Sequence, residues 1–123
     1  MTNNPSSFFG ALVMIDDALL ESQDKNSKII GRAQGMYAGA DLNTTALLMV
    51  INYVFTEGSK YSGSSLSVLG RNAVTQNVRE LPIVGGTGVF RFAQGFALAS
   101  TKWFDNRTGD AIVEYNVTVL HYI

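Results

Sequence analysis

The chain has 123 residues, enough for a single domain spanning 1–123 with one sizeable core. Nine Lys+Arg against ten Asp+Glu leave a net charge of −1, so charge alone recruits neither nucleic acid nor an anionic membrane surface. The absence of cysteine excludes disulfides, thiolate nucleophiles and zinc–thiolate sites, and a composition 15% charged and 46% hydrophobic predicts apolar faces that meet another subunit or a ligand.

The opening "MTNNPSSFFG" has neither the basic flank nor the apolar core of a signal peptide, and no apolar run reaches membrane-spanning length. "FFGALVMIDD" reads as a strand with Asp16–Asp17 at its end, followed by a polar loop, "ESQDKNSK". "IIGRAQGMYAGA" is the next strand, closed by a turn at "DLNTT". "ALLMVINYVFTEG" is rich in β-branched and aromatic residues and stops at Gly58, which favours strand over helix. Both of its faces are apolar: Leu47, Met49, Ile51, Tyr53 and Phe55 on one, Leu48, Val50 and Val54 on the other. Burial of both faces is expected. "SLSVLGRN", "VRELPIV", "VFRFAQGFALASTKWF" and "AIVEYNVTVLHYI" complete about seven strands with turn signals between them and no convincing helix. A closed antiparallel barrel is expected, its outer wall packed against another copy.

"GGTG" at Gly85–Gly88 invites a phosphate-loop reading. A dinucleotide loop needs G-x-G-x-x-G and then a helix. Arg91 stands where the third small residue belongs, and a strand pattern follows. A tight turn needing positive φ is the better reading.

Rows of small residues, Gly31-Ala33-Gly35 with Tyr37 and Ala93-Gly95-Ala97-Ala99 with Thr101, share one parity on their strands. Either they permit close sheet packing or they leave a cavity. Other chemistry is sparse. His121 is the single histidine, with no second His or any Cys to join it at a metal. Neighbouring Asp16 and Asp17 point to opposite faces of a strand, so at most one looks inward, and the same holds for Arg79 and Glu80. On the Arg79 face stand Leu81 and Ile83, so an inward Arg79 needs a polar pocket. Sequons begin at Asn43, Asn106 and Asn116.

"IIGRAQGMYAGA", "LLMVINYVFTEG", "GSSLSVLGRN", "RELPIVGGTGVFRFAQGFALA" and "GDAIVEYNVTVLHY" together resemble the plant dirigent family in order and spacing, from Phe8 almost to the end. The lack of cysteine and the Leu-Gly-Arg-Asn wording are more similar to its pterocarpan synthase-like branch. The resemblance implies an all-β, eight-stranded antiparallel barrel of dirigent and allene oxide cyclase-like type, assembled as a trimer or dimer. It implies a pocket to which this chain contributes Arg79, Asn72, Tyr37 and Thr101, and so favours a cavity beside the small-residue rows. The family's strand ending in His-Asp-Ile has no counterpart here; either a longer precursor supplies it, or the product lacks a strand and one acid, which would leave an open edge and Asp16 or Asp17 to supply the acid. Asn72 stands where lignan-forming members have Asp, and an amide cannot exchange a proton.

Three functions follow from the resemblance. The first is a stereochemical guide, not itself an enzyme, for coupling of monolignol radicals of the coniferyl alcohol type, the radicals coming from a separate laccase- or peroxidase-type oxidase. The second is a pterocarpan synthase-like dehydratase acting on an isoflavanol. The third is a phenolic-binding barrel in lignin deposition without chemistry of its own. All work without metal or cofactor, and the family implies an extracellular, apoplastic, glycosylated protein.

Overall fold

The computed structural model describes residues 8–22, 24, 26–105, 107–108 and 111–120; the sequon at Asn106 and His121 lie outside them. Seven antiparallel strands form one sheet: β1 Leu12–Leu20, β2 Ile29–Gly39, β3 Ala46–Phe55, β4 Ser65–Ala73, β5 Arg79–Thr87, β6 Gln94–Phe104 and β7 Ala111–Leu120. They pair strictly in chain order, so each connection joins neighbours. Among the described residues the sole helical element is one 3₁₀ turn, Gly88–Phe90.

The sheet curls into a half-barrel. One register row runs Ile15–Gly35–Ile51–Val68–Ile83–Gly95–Val119 through all seven strands. Its central members Ile51, Val68 and Ile83 are buried, with Leu81 and Leu66 beside them. Phe55, Tyr61 and Phe90 pack ring against ring at 5.0–5.8 Å and fill the interior at one end. The opposite end, where β2, β4 and β6 finish, carries the polar inward residues.

Several expectations are corrected. The barrel is not closed: among the described residues β1 and β7 form no ladder with each other, which leaves the open edge that a missing strand implies. In the single chain Leu48 and Val50, on the convex face of β3, are 39% and 38% exposed. Asp16–Asp17 lie in mid-strand, not at a strand end.

"GGTG" is not a tight turn. Gly85 and Gly86 are extended and belong to β5, where Val84 is the extra residue of a bulge opposite Ser67–Val68. Only Gly88 takes a positive φ, +64°, and opens the 3₁₀ turn. There Ser64 Oγ accepts from the Val89 amide at 3.0 Å. The strand expected from Val89 therefore begins at Gln94.

Curvature also explains much of the small-residue rows. A Cβ on Gly35 would collide with the Val50 carbonyl oxygen of the neighbouring strand, so glycine is what lets β2 and β3 approach where the sheet bends. Ala33, Ala97 and Ala99 are buried in the core. Tight packing thus accounts for these positions, and a cleft opens at the polar end.

Candidate functional site

Arg79 opens β5 with its side chain on the inward face beside Leu81 and Ile83, and it is 5% exposed. It is held by neutral oxygens alone. Its Nε donates to Asn72 Oδ1 at 3.0 Å, one terminal nitrogen to the Gln76 carbonyl at 3.3 Å, and the other to Thr101 Oγ1 at 3.2 Å. Among the described residues no carboxylate lies within ion-pair distance of it. A buried cation without a counter-ion is costly, so its neighbours must be read as a place for negative charge.

Asn72 is buried near the end of β4; its amide also approaches Met49 Sδ at 3.8 Å. Thr101 is the last inward residue of β6 before a bulge at Lys102. Tyr37 lies on the same concave face, in register with Met49 and Val13, half-buried against the core. A cleft of about 420 Å³ opens beside Arg79 and Thr101, bounded by the Val74–Val78 connection and by Ser100 and Lys102; Asn72 and Tyr37 are not in its wall.

The acidic pair divides as strand alternation demands. Asp16 faces outward and binds Arg32 Nε at 2.6 Å and Gln34 Nε2 at 3.2 Å. Those bonds hold its carboxyl below the ordinary value and tie it to the convex surface, which removes it as a pocket acid. Asp17 shares the inward parity of Ile15 and Leu19 and pairs with Ala33.

Two tyrosines that the sequence pattern assigns merely to apolar faces join this region. Tyr53 is 2% exposed and its hydroxyl has no hydrogen-bond partner among the described residues. Its ring meets Tyr115 of β7 at 5.3 Å and 59°. Burial raises both hydroxyls above the ordinary phenol range; for Tyr115 the Asp17 carboxylate adds to the rise and Arg79 opposes it. Residues from β1, β3, β5 and β7 therefore sense one another across the hollow. The available signal was a hydroxyl-bearing ring at an inward position.

Of the remaining sequons, Asn43 sits in the exposed β2–β3 loop and Asn116 is exposed on the convex face of β7. Among the described residues no group of three His, Cys, Asp or Glu could hold a metal ion.

Chemically, the site can bind an aromatic ring against tyrosines and fix an oxygen that is, or becomes, an anion against Arg79. It offers one inward carboxylate, Asp17, as a proton donor or acceptor.

The sequence model of the family described as "Dirigent-like protein" matches residues 1–120. Dirigent protein 7 of Arabidopsis thaliana is 51% identical over 117 residues, covering 95% of this chain and 62% of its own. Dirigent protein 23 of the same plant is 48% identical, covering 98% of this chain and 64% of its own. Pterocarpan synthase 1 of Glycine max is 48% identical, with 93% and 61% covered. The chain thus spans somewhat under two thirds of the length of these curated relatives. Solved structures of two pterocarpan synthase dirigent proteins superpose with TM-scores of 0.91 and 0.88 at 43% identity, covering 99% and 94% of this chain and 76% and 74% of theirs. Fold and sequence agree, and the chain belongs to the dirigent-like protein family.

Proposed function

We propose that this protein orients phenolic molecules so that one stereoisomer forms, with monolignol radicals of the coniferyl alcohol type as reactants. A laccase- or peroxidase-type oxidase takes one electron and one proton from each phenol. Two radicals then join by a carbon–carbon bond. The resulting quinone methides are attacked by the side-chain hydroxyls, which lose their protons as the quinone oxygens gain them. The protein's task is orientation, together with stabilisation of oxygen as it gains negative charge. The observation that carries this reading is the buried Arg79 guanidinium, satisfied only by neutral oxygens and in the same register row as Tyr115.

A second reading is favoured by Asp17. Its inward parity and its influence on Tyr115 supply the acid that a pterocarpan synthase-like dehydratase needs. It would protonate the leaving hydroxyl of an isoflavanol, release water to give a quinone methide, and allow the phenol to close an ether ring. A phenolic-binding role in lignin deposition without chemistry is the remaining alternative.

The exposed sequons at Asn43 and Asn116 and the apolar convex face fit a glycosylated, apoplastic homo-oligomer, trimer or dimer, and we include that in the proposal. Oxidant dependence is the deciding experiment. With coniferyl alcohol and an added one-electron oxidant, the protein is expected to raise enantiomeric excess without changing total product. Thr101→Val is expected to return the product towards racemic at unchanged yield. Conversion of an isoflavanol without oxidant would establish the dehydratase instead. Neither effect, with ligand binding intact, would leave only the binding role.

A further inference from the structure

We propose that Tyr115 contacts the bound phenolic, donating a hydrogen bond to its neutral oxygen while Arg79 holds the oxygen that carries charge. This rests on the phenolic-binding reading above and adds a requirement on the ligand. It should be a phenol bearing a second oxygen that does not ionise, such as a methoxy group.

Placement comes first. Arg79, Ala99 and Tyr115 are consecutive members of one register row across β5, β6 and β7. The alanine between them is small and buried. Adjacent strands lie about 4.8 Å apart, so the backbones carrying the guanidinium and the phenol are roughly 10 Å apart, room for one substituted ring between two polar ends. The Tyr115 ring is fixed by its contact with Tyr53 at 5.3 Å, so its hydroxyl has a defined direction. That hydroxyl makes no hydrogen bond within the described residues, although Tyr115 packs against the core. The hydroxyl keeps some solvent access, so it is a donor open to a ligand.

The electrostatic setting agrees. Burial disfavours ionisation of Tyr115, and the charge of Asp17 on the other edge strand adds to this, so the group stays a donor at neutral pH. Arg79 is always a cation and suits the ionised oxygen. A ligand with one oxygen of each kind therefore has one favoured direction, which is what stereocontrol requires. Reversal would set its neutral oxygen on the guanidinium and its anionic oxygen near Asp17.

The test uses two unoxidised probes, 4-methoxyphenol and phenol, titrated by NMR into the wild-type chain, Tyr115→Phe and Tyr61→Phe. Tyr115→Phe keeps the ring contact and deletes the hydroxyl. It is expected to weaken 4-methoxyphenol about tenfold and phenol little. Tyr61→Phe, at the opposite aromatic end of the half-barrel, keeps its ring contacts and should leave both affinities and the product ratio unchanged. Equal weakening of both probes by Tyr115→Phe, or no weakening of either, overturns the assignment. A fall in melting temperature with unchanged discrimination between the probes assigns Tyr115 a structural role and also overturns it. Should Tyr115→Phe not fold, ring-labelled tyrosine in the wild-type chain decides. The Tyr115 signal is expected to move on saturation with 4-methoxyphenol, and a stationary signal refutes the contact. If the wild-type chain binds neither probe, the phenolic-binding reading itself fails, which is distinct from failure of Tyr115 alone.

Discussion

Replacing Arg79 by Met should separate stability from function. The side chain is 5% exposed and bonded to Asn72, Gln76 and Thr101. Met keeps its unbranched length and removes the charge. Of the three acceptors released, the Asn72 oxygen is the one in a buried side chain, at 7% exposure, whereas Thr101 regains water. One orphaned acceptor costs about 1–3 kcal/mol. Against that, the effective penalty for burying a cation is several kcal/mol, and apolar replacement of a buried charge is often neutral or stabilising. The terms nearly cancel, so Arg79→Met should lie within about 2 kcal/mol of the wild-type chain; at this chain length 1 kcal/mol moves Tm by about 4 °C. Leu81→Ala calibrates the scale: a fully buried leucine truncated in the core should cost about 2–5 kcal/mol. Selectivity behaves differently. Loss of a charge-assisted bond of about 1.5–3 kcal/mol exceeds the 1.4 kcal/mol that makes a tenfold preference, so product should approach racemic at unchanged yield. Scanning calorimetry and chiral chromatography with added oxidant read the two effects. A Tm as low as that of Leu81→Ala, with enantiomeric excess retained, would show that Arg79 holds the fold and would refute the reasoning.

Asp17→Asn should alter product ratio or isoflavanol turnover, whereas Asp16→Asn, outward and bound to Arg32, should leave both untouched; equal effects in chiral product analysis would contradict the division of the pair. Asp41 accepts from the Asn43 and Thr44 amides, the Thr44 hydroxyl and Arg71, which together lower its carboxyl from 3.8 to about 2. Its folded value lies below the unfolded one, so its stabilisation is complete above pH 3.8 and disappears as pH falls through about 2; carboxyl NMR should show that low midpoint, and Asp41→Asn should abolish the acid-side change. On the convex face, Val50→Asp and Leu69→Asp should shift sedimentation velocity towards monomer, since these apolar residues are 38% and 48% exposed in the single chain; an unchanged sedimentation coefficient would place the interface elsewhere.

Strand alternation made much of this legible. Of the alternating set Val113, Tyr115, Val117 and Val119 of β7, all but Val117, which is 37% exposed, pack against the core, and Arg79, Leu81 and Ile83 share the concave side. The parity rule also required Asp16 and Asp17 to part company. Which one turns inward was readable too, because Asp17 interrupts the apolar series Val13, Ile15 and Leu19. What the pattern concealed lies in backbone geometry. A two-residue period has no term for a bulge, so the extra Val84 and the extended Gly85–Gly86 looked like a turn. Glycine opposite a neighbouring carbonyl and glycine beside a cavity are the same letter, and only the Gly35–Val50 approach distinguishes them. The Tyr53–Tyr115 contact joins strands four places apart in the sheet and depends on its curl.

The two ends of the half-barrel divide the work. At one end Phe55, Tyr61 and Phe90 close the interior with ring contacts, and the row through Ile51, Val68 and Ile83 supplies buried apolar area at mid-height. Arg79, Asn72 and Thr101 sit at the other end, one at the start of its strand and two near strand ends, where the β4–β5 and β6–β7 connections leave the sheet. Side chains there can change with little disturbance to the central row, because their polar partners are mainly one another. A fold arranged this way can change what it binds by altering strand ends while its core stays fixed. The same separation sets the Arg79 cation at the end away from the ring cluster, so a ligand anchored there would be oriented before any bond forms.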